Sequence, residues 1–133
     1  MSTIATKKNQ INLYVCNDNP ITKKTIALAK SSKAEVFIID ICKDKLTGTE
    51  WKELATKATI DVSDFIQIDH PIFKEIYGDK VSISEDDAIK ILNSNPQVFV
   101  YPIALRENKA VHCTTETKIL ELHHSDTGEV PIP

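Results

Sequence analysis

The amino-acid sequence predicts an α/β domain with a mixed sheet of four strands flanked by helices. A strand-like segment, a helical segment and a nearly continuous apolar segment follow one another near the N-terminus, which is the order of a parallel strand-helix-strand unit. Near the C-terminus a tight turn joins two short strand-like segments, which predicts an antiparallel pair. The chain has 133 residues, of which 41% are apolar and 26% charged, so we expect one hydrophobic core.

The first unit begins with alternating apolar residues. Every second side chain along residues 11–16 is apolar in a pattern of period two, which predicts a strand. Asn19 followed by Pro20 is the favoured order for an N-cap and a first helical position, so a helix should cover residues 20–32. Residues 35–41 are almost continuously apolar, which is typical of a parallel strand covered on both faces.

Helices dominate the middle of the chain. Thr47 and Glu50 have the spacing of a capping box, which predicts a helix over residues 48–58. Residues 61–77 read as two short helices separated at a His-Pro pair. Ser84, followed by three acidic residues, predicts the start of another helix, because the helix dipole favours negative charge in the first turn.

A proline interrupts the next strand segment. Residues 98–104 read as a strand, although Pro102 lacks the N–H that a central strand needs. A second strand is expected at 110–113, and a final helix at 115–122. The side chains that we expect in the core are Val15, Val36, Ile38, Leu92 and Phe99.

Charge and composition exclude two classes of function. The 16 basic and 19 acidic residues give a net charge of −3, and Arg106 is the single arginine, which argues against a nucleic-acid-binding protein. No apolar run reaches the ~18 residues of a membrane span, and the first residues contain no hydrophobic signal core, so we expect a cytoplasmic protein. The expected organisation is a flexible leader at 1–9, the domain at 10–122 and a flexible tail at 123–133.

The three cysteines leave two interpretations open. They form no CxxC and no zinc-type spacing, so neither a metal site nor a disulfide framework is indicated. Cys16 and Cys42 each follow a predicted strand, and the ends of two adjacent parallel strands meet at one edge of a sheet. The two thiols are either a redox pair at that edge or two small buried apolar residues. Cys113 is expected in the core.

Three local patterns, in this order along the chain, resemble the thioredoxin-fold arsenate reductase family. This family holds the glutaredoxin-coupled arsenate reductases (ArsC) and the regulator Spx. The patterns are an Asn-Pro loop leading into helical residues 22–25, a helix that ends in Asn-Pro ahead of the Tyr-Pro-Ile at 101–103, and the Cys113 strand running into a terminal helix. The resemblance covers residues 10–122. It implies a thioredoxin-like fold, with a helical insertion between the two halves.

The resemblance also identifies where the active members of the family carry their reactive groups. They have a nucleophilic cysteine just ahead of the first helix and three arginines around the oxyanion. In this sequence the cysteine position is Asn19, and the arginine positions are Gln67, Tyr101 and Thr114. The nearest thiol is Cys16, three residues earlier. The resemblance therefore implies a degenerate arsenate site.

A groove beside this site follows from the same resemblance. The loop residues Asn17, Asp18, Thr22 and Lys23 are expected to face Pro102, which family members hold in the cis form. Without arginines, an anion in this groove would depend on lysines and the helix N-terminus, and Asp18 would oppose it.

The expected function is that of a catalytically inactive module. It would bind or regulate a protein partner, as Spx-type regulators do, without a cofactor and without direct contact with nucleic acid or membrane. The alternative is a thiol oxidoreductase of the arsenate reductase type that uses Cys16 as a displaced nucleophile together with glutathione or glutaredoxin. A reactive Cys16 thiolate would favour this alternative.

Overall fold

The structure, a computed structural model, describes residues 9–16, 19–79 and 82–122. Its strands are β1 (Gln10–Val15), β2 (Glu35–Asp40), β3 (Ile103–Arg106) and β4 (Lys109–His112). Its α-helices are α1 (Pro20–Lys30), α2 (Gly48–Ala58), α3 (Pro71–Tyr77) and α4 (Glu85–Ser94). Short 3-10 helices cover Val62–Phe65, Pro96–Val98 and Glu116–Leu122. The predicted tail at 123–133, and all of the predicted leader except Asn9, lie outside the described residues.

The strands form a mixed sheet in the order β2-β1-β3-β4. Strand β1 runs parallel to β2 and antiparallel to β3, and β3 and β4 form an antiparallel pair. The predicted four-stranded mixed sheet flanked by helices is therefore confirmed. Within the described parts of the chain, no helix has the length and apolar composition needed to cross a membrane.

The predicted N-caps of three helices are confirmed. Asn19 caps α1 and Pro20 occupies its first turn. Thr47 and Glu50 form a reciprocal capping box at the start of α2, with backbone-to-side-chain distances of 3.0 and 3.1 Å. Ser84 caps α4 and accepts a hydrogen bond from the third helical N–H. These caps satisfy N–H groups that have no partner within the helix, so each helix begins at a defined residue.

The core lies on both faces of the sheet. On the face covered by α2 and α4, Trp51, Phe65 and Phe99 pack with ring centroids 5.5 to 6.1 Å apart. The opposite face is covered by α1 and the last 3-10 helix, and its buried side chains include Ile11, Leu13, Ala29, Ile119 and Leu122. Because side chains alternate along a strand, the two central strands supply both clusters.

Strand β2 is an edge strand, which corrects one expectation about the core. Ile38 is 47% exposed and Phe37 44% exposed, whereas Leu92, Phe99 and Val15 are buried as predicted. Val36 is only partly buried. A continuous apolar segment indicates a covered strand, but β2 has one neighbouring strand, and the packed helices do not fully cover its side chains.

The position of Pro102 is also different from the prediction. Strand β3 begins at Ile103, so the proline precedes the strand and removes no N–H from the ladder. The segment before it contains the 3-10 helix Pro96–Val98 rather than a strand. The terminal helix expected at 115–122 is likewise a 3-10 helix, Glu116–Leu122.

Candidate functional site

Asn19 occupies the position ahead of α1 at which the resemblance expects a cysteine, and its side chain makes two hydrogen bonds. Oδ1 accepts a hydrogen bond from the backbone N–H of Thr22 at 2.8 Å, which caps the helix. Nδ2 donates to the carbonyl oxygen of Val100 at 3.0 Å. The carboxamide therefore joins the start of α1 to the segment that enters β3. This carboxamide holds the backbone of the two segments together and provides no nucleophilic thiol.

Pro102 lies two residues beyond the Val100 carbonyl, and its peptide bond is trans. All peptide bonds between described residues are trans, which corrects the expectation of a cis proline at Tyr101-Pro102. A trans bond is the lower-energy form of an X-Pro peptide, by about 0.5–1 kcal/mol. Pro102 is buried, and its carbonyl accepts a hydrogen bond from the N–H of Cys113 at 2.8 Å.

The other residues predicted for the groove are only partly described. Thr22 is buried, and its hydroxyl has no hydrogen-bond partner among the described residues. Lys23 is exposed, and its N–H donates to the Asn19 carbonyl at 3.0 Å as part of the first helical turn. Asn17 and Asp18 lie outside the described residues.

The three positions at which the resemblance expects arginines carry no charge. The backbone N–H of Gln67 donates to the Val98 carbonyl at 2.8 Å, which places Gln67 near the entry to β3. Tyr101 is half-buried, directly before Pro102, and Thr114 is exposed beyond β4. None of these side chains can form the bidentate, charge-assisted hydrogen bonds that hold an oxyanion.

Arg106 cannot replace them, because it lies at the other end of the sheet. In the β1–β3 pair it stands opposite Ile11, whereas Ile103, at the site end of β3, stands opposite Tyr14. Arg106 is 4% exposed, and its Nη1 donates to the carbonyl oxygen of Leu122 at 3.1 Å. This arginine ties the terminal 3-10 helix to the sheet.

Cys16 and Cys42 meet at the edge of the sheet and form a disulfide. The bridge follows directly from the parallel pairing of β1 and β2, which brings the two strand ends together. Cys42 is exposed and Cys16 is partly buried, so the interpretation of both as buried apolar residues is wrong. The sequence placed both cysteines at strand ends, and the structure shows that they are paired.

Two further ionisable groups near the sheet are held neutral by burial. Burial raises the pKa of the Cys113 thiol to about 12, so this cysteine remains a thiol at neutral pH and belongs to the core, as expected. Burial also raises the pKa of the Tyr14 phenol above its usual value. Neither side chain supplies a nucleophile.

A basic cavity of about 370 Å³ lies between the end of α2, strand β4 and the last 3-10 helix. Lys57, Lys109 and Lys118 line it, with Glu121 as a lining acid. Lys109 and Glu121 form an ion pair at 3.9 Å. Sequence reasoning missed this cavity, because its residues come from three separate segments and have no diagnostic spacing.

His112 also lines this cavity and is kept neutral by burial. Its pKa is lowered to about 4, chiefly by burial, while the charge of Asp64 opposes that shift and the charge of Lys118 adds to it. The imidazole packs edge-on to Phe65, with ring centroids 5.1 Å apart, and its Nε2 has no hydrogen-bond partner among the described residues. Among the residues that the structure describes, no three His, Cys, Asp or Glu side chains form a group that could hold a metal ion.

The same arrangement of strands and helices occurs in solved structures. The arsenate reductase from Vibrio cholerae superimposes with a TM-score of 0.75 at 18% identity, over 85% of this chain and 97% of that one. A Yersinia pestis protein provisionally assigned as an arsenate reductase gives 0.75 at 17% identity, over 84% and 98% of the two chains. For the Staphylococcus aureus protein SACOL0876 the values are 0.67, 18%, 84% and 96%.

Neither a protein-family model nor a curated protein matches the sequence. At these identities the superpositions establish the fold and leave the chemistry to the residues at the site. The chain has the thioredoxin-like fold that is found in arsenate reductases, with a four-stranded mixed sheet and helices on both faces.

Proposed function

We propose that this chain is an arsenate reductase-like, thioredoxin-fold protein that has no arsenate reductase activity and acts in the cytoplasm as a binding or regulatory module for a protein partner. The observation that carries the proposal is the pair of hydrogen bonds made by Asn19, to Thr22 and to Val100. At this position the side chain has a structural role, and the site contains no thiolate in its place.

The charges at the site support the same conclusion. Reduction of arsenate through a thiol requires a nucleophilic sulfur and cationic groups that neutralise the oxyanion. The single arginine of the chain, Arg106, is buried at the far end of β3, where it holds the Leu122 carbonyl. Each missing donor of this kind commonly costs about 3 kcal/mol of transition-state stabilisation. The loss of several leaves little rate above background.

A second candidate is a thiol oxidoreductase that uses Cys16 with glutathione or glutaredoxin. The observation in its favour is that Cys16 is close enough to Cys42 to form a disulfide, as redox-active cysteines do. As a nucleophile toward arsenate, Cys16 would have to be reduced and to bind the oxyanion without arginines. We therefore rank this candidate second.

The experiment is an arsenate reduction assay on the reduced protein with glutathione, glutaredoxin and a coupled measurement of NADPH oxidation. We expect no turnover above the protein-free control, and no change for Cys16→Ser. Robust turnover by the unmodified protein that Cys16→Ser abolishes would refute the proposal and establish the second candidate.

A variant at Asn19 separates the loss of the thiol from the loss of the arginines. Asn19→Cys is made in a Cys16→Ser/Cys42→Ser background, so that the new thiol cannot form a disulfide with either neighbour. We expect faster alkylation by iodoacetamide at neutral pH than in the parent double variant, because a helix N-terminus stabilises a thiolate. Turnover should still be absent. Arsenate reduction restored by this single thiol would show that the arginines are dispensable here.

A further inference from the structure

The backbone holds Cys16 and Cys42 at bridging distance. Val15 and Asp40 are the last residue pair in the β1–β2 register, and the N–H of Ile41 continues the pairing with a 2.8 Å bond to the Val15 carbonyl. The Cα atoms of the two cysteines are 5.2 Å apart. This separation lies within the range that disulfides require.

The turn after β2 orients Cys42 toward its partner. The N–H of Cys42 donates to the Asp40 carboxylate at 2.9 Å, and the N–H groups of Lys43 and Asp44 donate to the Asp40 carbonyl at 3.1 and 2.9 Å. Sγ of Cys42 lies 3.6 Å from the carbonyl oxygen of Cys16. Hydrogen bonds within the turn therefore hold the backbone at Cys42 in addition to the disulfide.

The two cysteine residues differ in their exposure to solvent. Cys42 is exposed and Cys16 is partly buried, while Cys113, the third cysteine, is fully buried. A thiolate from solution can therefore approach the bridge from the side of Cys42. A buried structural disulfide offers no such approach, and exposed disulfides are the ones most often exchanged.

We propose that Cys16 and Cys42 form a reversible thiol–disulfide couple that exchanges two electrons with a dithiol reductant. This inference goes beyond the proposed function, because it involves neither arsenate nor the position of Asn19. It makes the carboxyl edge of β1 and β2 a redox site, with the exposed Cys42 sulfur as the point of attack.

The exchange balances in two steps. A thiolate of the dithiol attacks Sγ of Cys42, the Cys16–Cys42 bond breaks, and its electron pair passes to Sγ of Cys16, which takes a proton from water. The second thiolate of the same reductant then attacks the reductant sulfur that is bonded to Cys42 in the mixed disulfide. This step releases Cys42, which is also protonated. The protein gains two thiols, and the dithiol becomes a cyclic disulfide.

The test titrates the folded protein in mixtures of reduced and oxidised dithiothreitol, without denaturant. Thiols are trapped with iodoacetamide at each ratio, and the alkylated residues are counted by mass spectrometry. We expect Cys16 and Cys42 to become alkylated together, with one midpoint and the slope of a two-electron couple, whereas Cys113 stays unmodified throughout.

The variants supply the controls. Cys113→Ser should leave the midpoint unchanged. Cys16→Ser should leave Cys42 open to alkylation at every ratio, because its partner is gone. Two results would overturn the inference, namely independent alkylation of Cys16 and Cys42 under oxidising conditions, or a bridge that stays intact in excess reduced dithiothreitol. Because the readout is thiol modification, a negative result for the redox couple would not change the interpretation of the arsenate experiment.

Discussion

His112 is a residue whose surroundings oppose its charged form. Its ring lies against Phe65, and burial lowers its pKa from 6.5 to about 4. In the unfolded chain this histidine takes up a proton near pH 6.5, whereas in the folded protein it stays neutral until about pH 4. The unfolded state therefore binds more protons between these two values, and the stability contributed by His112 is lost as the pH falls through that window.

The first prediction concerns the pH dependence of stability that His112 causes. Replacement of His112 by Phe should remove a pH-dependent loss of stability that reaches at most about 3 kcal/mol between pH 6.5 and pH 4. The aromatic substitute keeps the edge contact with Phe65, and Nε2 has no described partner to lose. Urea unfolding at a series of pH values measures the effect.

A second histidine provides the control for this measurement. His70 caps α3, where its Nδ1 accepts a hydrogen bond from the N–H of Ile72 at 3.1 Å. His70→Asn keeps an acceptor at the cap and leaves His112 in place. The loss of stability that His112 contributes between pH 6.5 and pH 4 should therefore persist in this variant. An unchanged slope in His112→Phe would show that His112 titrates normally in the folded state.

At the scale of elements, the contrast between β1 and β2 can be measured on two facing residues. Leu13 and Ile38 are partners in the parallel register, yet Leu13 is 0% exposed and Ile38 is 47% exposed. Leu13 lies in the centre of the sheet under α1, whereas Ile38 lies on the edge strand. The same truncation should therefore have different effects at the two positions.

The second prediction is that Leu13→Ala lowers the free energy of unfolding by about 2–5 kcal/mol, because it leaves a cavity in a packed core. Ile38→Ala should lower it by less than about 1.5 kcal/mol, because half of that side chain is already in water. Urea unfolding at two protein concentrations measures both. Equal losses at the two positions, or a concentration-dependent loss at Ile38, would mean that β2 is covered in solution.

At the scale of the whole molecule, the two core clusters share one sheet. Trp51 is the single tryptophan of the chain and is fully buried between Phe65 and Phe99, with its Nε1 donating to Asn93 Oδ1 at 3.1 Å. It reports on the face covered by α2 and α4. The opposite cluster contains no tryptophan but draws on the same central strands, so neither face can lose its packing alone.

The third prediction is therefore a single cooperative unfolding transition. Tryptophan fluorescence and far-ultraviolet circular dichroism should give the same urea midpoint, with the Cys16–Cys42 bridge kept oxidised throughout. The fluorescence signal follows one face of the sheet, and circular dichroism follows the helices on both faces. Separate midpoints would show that the two clusters unfold independently.

The sequence by itself determined the local features of this protein. The N-caps of three helices were predictable, namely Asn19, Thr47 and Ser84. The parallel strand-helix-strand unit and the C-terminal hairpin were predictable as well, because caps, turns and apolar periodicity are properties of neighbouring residues. That Asn19, Gln67, Tyr101 and Thr114 stand where active members of the resembling family carry their reactive groups stays a prediction from the resemblance.

Only the tertiary structure decided which strand lies at the edge, which residues share the basic cavity and how the cysteines pair. Ile38 was expected in the core because an apolar segment reads alike in a central and in an edge strand. Pro102 was expected to be cis and within a strand, whereas its peptide bond is trans and the strand begins at the next residue. Cys16 and Cys42 are 26 residues apart in the sequence, and the parallel register brings their Cα atoms to 5.2 Å. Such contacts depend on how distant segments pack, and local sequence patterns placed the two cysteines at neighbouring strand ends without deciding whether they pair.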